Sequence, residues 1–293
     1  MPGRVVISQI CFAVKNIMDK SGKILRDRRL IGFYSTVYLL KKLRPFRPAV
    51  FAISYPKCGR TWLRMILTKY FSDLAGLDEV DFYILEKLDR DRTMAFEHDR
   101  GTWVPFPFKV SQLKLNKKKY AGKRVIFLAR DPRDILVSSW YHLTYRESIY
   151  TGSLSDFMRD ELLGIRKIVA YMNLWLDNQH AFKAFHLVRY EDLKERTEDT
   201  MVGVLNFLGE AQIDTKRLRT AIAFASHKNM QTMEREGVYH IPWLKPGNPE
   251  DPRSFKARKG VVGDWKNHFN NDEICTMNQI ISEELLDTFG YKA

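Results

Sequence analysis

Residues 54–62 read Ser-Tyr-Pro-Lys-Cys-Gly-Arg-Thr-Trp, between the short apolar run Ala49 to Ser54 and an apolar-periodic stretch through Trp62, Met65, Ile66, Tyr70, Phe71 and Leu74. That order predicts a strand, a tight loop and a helix. The loop's backbone N–H groups then point out of a helix N-terminus, where the dipole favours an anion. The predicted cradle is the N–H groups of Cys58, Gly59, Arg60 and Thr61. Gly59 allows an approach that a side chain blocks. Lys57 sets an ammonium beside the anion, Thr61 adds a hydroxyl donor, and Trp62 offers a flat surface for a base. The pattern Gly-x-x-x-x-Gly-Lys-Ser/Thr is absent, so the loop reads as a phosphate-type site with no nucleotide assigned.

Such a loop must hang on a sheet, and the chain repeats the grammar. Arg124 to Ala129 predicts a second buried strand with Arg130 and Asp131 at its carboxyl end. Asp131 caps and Pro132 opens the next helix, whose buried face carries Ile135, Leu136, Trp140 and Leu143. A third strand, His186 to Arg189, ends at Tyr190-Glu191-Asp192, and further helices are predicted over Leu154 to Phe185 and Thr197 to Leu208. The class is α/β with a mainly parallel sheet flanked by helices, and ligands are expected beyond the carboxyl ends of its strands.

At 293 residues, 45% hydrophobic and 28% charged, the chain can bury one large core, which excludes wholesale disorder and low-complexity fibres. Cys11, Cys58 and Cys275 lie far apart without a CxxC pair. Neither a disulfide framework nor a zinc site is indicated, and a reducing, cytoplasmic location is expected. The net charge of +13 suggests a nucleic-acid binder only until it is mapped: residues 1–48 hold eleven Lys or Arg against Asp19 and Asp27, which is +9 of the total. No nucleic-acid partner is therefore predicted. The apolar runs Val5 to Val14 and Ile31 to Leu40 are too short to span a bilayer, which takes about 20 residues, and no signal-peptide cleavage pattern follows them. Residues 1–48 are read as a basic extension that packs on the body or touches an anionic membrane surface, and 49–293 as one domain.

The stretch Tyr55-Pro56-Lys57-Cys58-Gly59-Arg60-Thr61-Trp62 resembles the phosphosulfate-binding loop of sulfotransferases that use 3′-phosphoadenosine 5′-phosphosulfate (PAPS). The usual form is Tyr-Pro-Lys-Ser/Thr-Gly-Thr-Thr-Trp, so Cys58 and Arg60 are departures. Arg130 to Ser139 is similar to the family's 3′-phosphate motif, an arginine at a strand end with Ser138 eight residues later. Arg258-Lys259-Gly260-Val261-Val262-Gly263-Asp264-Trp265-Lys266-Asn267 is similar to its closing segment. The three stand in family order between Ala49 and Phe269 and leave residues 1–48 outside. The resemblance implies a single α/β domain with a P-loop-kinase-like nucleotide-binding core and PAPS as co-substrate. It places Arg130, Ser138, Arg258 and the N–H groups near Lys259 and Gly260 on the 3′-phosphate and Tyr190 near the adenine, with Ser226 and Met230 a looser match there.

Sulfuryl transfer needs a base for the acceptor's proton and a cation for the departing oxygen. Lys57 suits the second role. A neutral histidine suits the first, and His98 in Phe96-Glu97-His98-Asp99 lies where the resemblance implies the catalytic histidine. His142, one helical turn after Ser138, is its rival. Many cytosolic relatives carry lysine two residues before this histidine. Phe96 stands here, so charge stabilisation falls to Lys109 or Arg60. The resemblance also implies that Ser138 holds Lys57 off the donor until the acceptor arrives. Metal-independent catalysis is expected, since Lys and Arg can meet the donor's charge. The acceptor is a hydroxyl or amine on a small molecule, carbohydrate or lipid; a peptidyl group stays open as well, and so does the oligomeric state. A small-molecule kinase, which requires Mg²⁺, and a non-enzymatic basic module for anions or membranes are the competing classes. The Pro- and Gly-punctuated stretch from Glu234 to Lys259 is predicted to be non-helical, either a flap over the site or a static loop.

Overall fold

Four strands, β1 (Val50–Ser54), β2 (Met94–Glu97), β3 (Arg124–Ala129) and β4 (Ala184–Arg189), form one sheet in the order β2-β1-β3-β4, with every pairing parallel. The structure, a computed structural model, describes residues 48–101, 108–113, 115–237, 244 and 247–292. The helices are α1 (Arg60–Leu74), α2 (Ile84–Lys87), α3 (Pro132–Tyr141), α4 (Leu154–Arg159), α5 (Ile165–Asp177), α6 (Tyr190–Glu195), α7 (Thr197–Phe207), α8 (Thr215–Phe224), α9 (His227–Glu236) and α10 (Asn271–Glu284). None is long and apolar enough to cross a membrane.

The central strands are near-continuous apolar runs because the sheet is covered on both faces. β1 is buried throughout, and so is β3 beyond Arg124. Phe127 stacks on Trp175 of α5 at 5.9 Å and meets Phe289 at 6.2 Å, which ties the sheet to α5 and the C-terminal segment. α8 packs on α1. Because all strands are parallel and Ser54 pairs with Leu128, Ile53 with Glu97 and Ala129 with Arg189, the loops after β1, β2, β3 and β4 gather along one edge.

Some predicted boundaries need correction. The stretch expected to be helical from Leu154 to Phe185 is two helices. The side chain of Asp160 accepts from Leu162 and Leu163 N, and Gly164 packs its Cα against backbone, so the chain turns between them. The last strand begins at Ala184 rather than His186. The segment expected to be non-helical from Glu234 instead begins inside α9, which runs to Glu236 and ends on left-handed Gly237 (φ 62°). Of its proposed flap, residues 238–243 and 245–246 lie outside the described residues, as do residues 1–47 of the basic extension.

One buried charge carries a stability prediction. Lys167 on α5 is 0% exposed and its Nζ has no hydrogen-bond partner. Burial pushes the ammonium down to about 7, only partly opposed by Asp160. The unfolded chain, at the ordinary 10.5, binds more protons between those values, so this residue makes stability rise with pH across that window. Its cost is complete below about pH 7 and gone once the unfolded lysine has also deprotonated. Lys167→Met should therefore stabilise the fold by on the order of 3 kcal/mol at pH 6 and far less near pH 10. Urea unfolding at both pH values measures this; an equal gain at both contradicts it.

Candidate active site

The loop after β1 is shaped by two left-handed residues, Lys57 (φ 73°) and Gly59 (φ 88°). Residues of alternating hand curl successive N–H groups toward a common point, an anion-binding concavity capped here by the start of α1. Gly59 is required on two counts: its φ is costly for other residues, and a Cβ there would stand 2.6 Å from Tyr190 Cδ2. Tyr190 thus packs beneath the loop. Its ring also lies 4.3 Å from the Arg130 guanidinium and edge-on to Trp62 at 6.0 Å. Cys58 is 1% exposed and points into the core, where burial pushes its thiol up, so only its backbone remains at the loop surface.

The second corner, after β3, is locked by its own charges. Asp131 caps α3 by accepting from Arg133 N at 2.9 Å and takes Arg133's guanidinium side-on, Nε at 2.9 Å and Nη2 at 2.7 Å. Arg133 reaches on to Asn278 Oδ1 at 2.6 Å and the Tyr291 carbonyl at 3.2 Å. Arg130 is left to face the loop, donating to the Lys57 carbonyl at 3.2 Å and the Val261 carbonyl at 3.3 Å. Asp134 accepts from Gly263 N at 2.8 Å and Trp265 N at 3.2 Å, which docks the C-terminal turn on the first turn of α3. A Cβ at left-handed Gly260 would stand 2.7 Å from the His227 ring, so that turn lies directly on the start of α9.

One cleft results, and the predicted residues Lys57, Gly59, Arg60, Thr61, Trp62 and His98 line it together with Arg130, Ser138, Tyr190, Arg258, Lys259 and Gly260. Cys58 is the exception. His142 and Met230 also line it, whereas Ser226 caps α9. Lys109 pairs instead with Glu161 at 3.0 Å on the surface. Arg258 and Lys259 do not stand ready for a ligand: both pair with Asp264, at 3.2 and 2.9 Å, and His268 joins them at 3.0 Å. Against the upward push of burial, hydrogen bonds from Lys259, His268 and Arg258 hold the Asp264 carboxyl well below the usual carboxylate range. Among the described residues, no hydrogen bond joins Ser138 to Lys57.

Two contributors escaped the sequence. Lys256 lines the cleft, and burial, with Arg146 and Arg60 adding repulsion, pushes its ammonium down to about 7. Glu234 has a side chain 0% exposed, pairs with Arg146 at 2.8 Å, and accepts from Lys256 N at 2.6 Å and Ala257 N at 3.0 Å. It fastens the chain just before Arg258. Lys256's place two residues ahead of the Arg-Lys-Gly motif was a usable signal, and so was Glu234's place four residues after Met230 on the apolar face of α9. Burial, then Lys256 and Arg146, push the Lys57 ammonium well below its ordinary value, with Glu234 pulling the other way.

His98 lies just beyond β2. Its Nδ1 meets the Ser54 carbonyl at 2.8 Å and its Nε2 meets Arg60 Nη2 at 2.7 Å. A carbonyl only accepts and a guanidinium only donates, so the partners assign the proton to Nδ1 and a lone pair to Nε2. The Tyr171 hydroxyl and Gly101 N both donate to the His98 carbonyl at 2.7 Å and fix its backbone. His142 is placed differently. Its Nε2 lies 3.3 Å from Glu147, and burial, with Lys57, Lys256 and Arg146, pushes it well below the ordinary histidine value.

Arg60 Nη1, Trp62 Nε1, Arg130 Nε and His227 Nε2 are buried in residues lining this cleft and have no hydrogen-bond partner. Each such group costs about 1–3 kcal/mol unless something pairs with it. Together with Lys57 and Lys256 they suit a ligand carrying several anionic oxygens on a flat heterocycle.

A family model described as sulfotransferase domain matches residues 47–289. The amine sulfotransferase of Oryctolagus cuniculus is 27% identical over 295 residues, spanning 92% of this chain and 93% of the relative. Homo sapiens sulfotransferase 2A1 is 27% identical over 257 residues, spanning 81% and 84%. Among solved structures, a mouse sulfotransferase complexed with PAP aligns with a TM-score of 0.60 at 21% identity, over 85% of this chain and 90% of that one. Retinol dehydratase in complex with androsterone and the inactive cofactor PAP aligns at 0.56 and 17% identity, over 83% and 82%. These two likenesses bear on the fold.

Proposed function

The chain belongs to the sulfotransferase family, and from that premise we propose that it transfers the sulfuryl group of PAPS to a hydroxyl or amine of a small-molecule acceptor and releases adenosine 3′,5′-bisphosphate (PAP). The observation that carries this reading is the meeting, in one cleft, of three segments far apart in the chain, around 57–62, 130–138 and 256–260. PAP in both structural neighbours supports the donor class, and the amine acceptor named for the rabbit relative supports a small acceptor. The free Cys58 and Cys275 support a cytoplasmic location.

PAPS supplies the activated sulfuryl group and the rest is positioning. The N–H groups of the β1 loop and Lys57 hold the phosphosulfate end. Arg130, with its Nε still to be paired, holds the 3′-phosphate beside Ser138. Arg258 joins it by exchanging Asp264 for the phosphate. His98 Nε2 takes the acceptor's proton, and the Ser54 carbonyl keeps the imidazole in the tautomer for that task. Lys57 steadies the leaving oxygen; its ammonium, disfavoured by burial and then by neighbouring cations, regains its charge preference when an anion enters.

Lys57→Ala is accordingly expected to lower kcat by about 10²–10³-fold and to leave PAP affinity comparatively intact. Steady-state rates beside a PAP titration measure the split, and an unchanged kcat removes the assignment. For the reaction itself, labelled PAPS with a panel of phenols, steroids, amines and carbohydrates, in chelator, should give labelled product and equimolar PAP. Transfer from ATP with Mg²⁺ in its place would make the chain a kinase, and PAP binding without any turnover would make it a binding module.

A further inference from the structure

Arg60 Nη2 sits on the lone pair that an acceptor's proton must reach, 2.7 Å from His98 Nε2. The other ring nitrogen is committed to the Ser54 carbonyl, so this contact occupies the one basic position that His98 has. A proton arriving there with Arg60 in place would set two donors against each other. Arg60 is itself poorly matched. Burial pushes its guanidinium down to about 10, so it is charged at neutral pH, and among the described residues no carboxylate pairs with it. Neighbouring Glu97 is engaged by Lys119 and the Tyr120 hydroxyl. Arg60 Nη1 is buried with no partner. A desolvated cation without a counter-ion is costly, and an imidazole nitrogen is a weaker partner for it than an oxyanion.

We propose that Arg60 is a switch on the base: it caps His98 Nε2 while the cleft lacks an oxyanion, and turns its donors onto the sulfate end of the donor once that is seated, freeing Nε2 for the acceptor. The inference rests on the PAPS reading above. It makes base and donor arrive together, and it brings a cation to the reacting end that Phe96 cannot supply. The exchange is non-covalent: one N–H···N bond is replaced by N–H···O⁻ bonds, and the guanidinium keeps its protons.

Diethyl pyrocarbonate acylates an unprotonated imidazole nitrogen whose lone pair is open, and peptide mass spectrometry reads this at His98 with exposed His180 as internal reference. In the full chain without nucleotide, His98 should react about tenfold more slowly in the wild type than in Arg60→Thr, the factor expected for one hydrogen bond to a charged group. Inorganic sulfate, against chloride at equal ionic strength, should speed the wild-type reaction and leave the variant unaffected. Equal rates in the two proteins, or a wild-type rate indifferent to sulfate, overturns the switch. The sulfate comparison uses unaltered protein and stands whether or not the variant folds. If sulfuryl transfer from PAPS proceeds while sulfate has no effect, the switch alone fails. If sulfate opens His98 in a chain that transfers nothing, the switch stands and the proposed reaction fails.

Discussion

His98→Gln is expected to lower kcat by about 10²–10⁴-fold, the range that a positioned general base supplies, while PAP affinity changes by no more than about threefold. Glutamine offers polar atoms to Arg60 and the Ser54 carbonyl but no lone pair that can take a proton at neutral pH. His98 does not belong to the segments that grip the nucleotide, so the loss should fall on turnover and spare binding. The check is kcat at saturating donor and acceptor beside a PAP titration of the same preparation. A variant within about tenfold of wild type would move the base elsewhere, and His142 is the position to examine next. It is the weaker candidate on physical grounds: buried among Lys57, Lys256 and Arg146, it holds a proton poorly.

The largest structural effect is expected at Glu234. Its carboxylate is fully buried and serves Arg146, Lys256 N and Ala257 N at once. Glu234→Ala leaves two backbone donors without their acceptor and takes from Arg146 the carboxylate at 2.8 Å, where Glu147 lies at 3.9 Å, and breaking a buried pair of this kind costs about 3–5 kcal/mol. The same loss frees the chain before Arg258, so PAP should bind more weakly in whatever fraction remains folded. Glu234→Gln keeps the shape and an acceptor oxygen and should lie between alanine and wild type. Urea unfolding with and without PAP reads both effects. A cost under about 1 kcal/mol with PAP affinity retained would contradict this role.

Where the site is local in sequence, it was legible. The β1 loop, the β3 corner and the C-terminal Arg-Lys-Gly turn each combine a strand end or turn with the residue types that hold anions, and parallel pairing brings the first two together. What was not legible is long-range or self-cancelling. The Arg60–His98 bond joins residues 38 apart; the sequence marks Arg60 as a source of charge for the donor, and nothing in its spacing sets it against the imidazole. Arg258 reads as a phosphate ligand from its motif, yet the aspartate six residues on claims it, because Gly260 and Gly263 fold the turn back on itself (φ 63° and 77°). Glu234 stands four residues after Met230 on the one apolar face of a strongly polar helix, but a carboxylate at that position reads as solvated; its burial as a charge follows from Arg146 and the loop that closes over it. Trp62 fits the apolar period of α1 but is half-buried and lines the cleft. Its chemistry, rather than its spacing, told its place.

The claim on which the rest depends is that these segments build one nucleotide site held by Arg130. Equilibrium dialysis of labelled PAP against the full chain, in chelator, tests it without any assumption about the acceptor. One equivalent should bind per chain, be displaced by PAPS, and bind about tenfold or more weakly in Arg130→Ala, as befits the loss of charge-assisted bonds to a phosphate. A cooperatively folded chain that binds no PAP, or binds it equally well without Arg130, contradicts it.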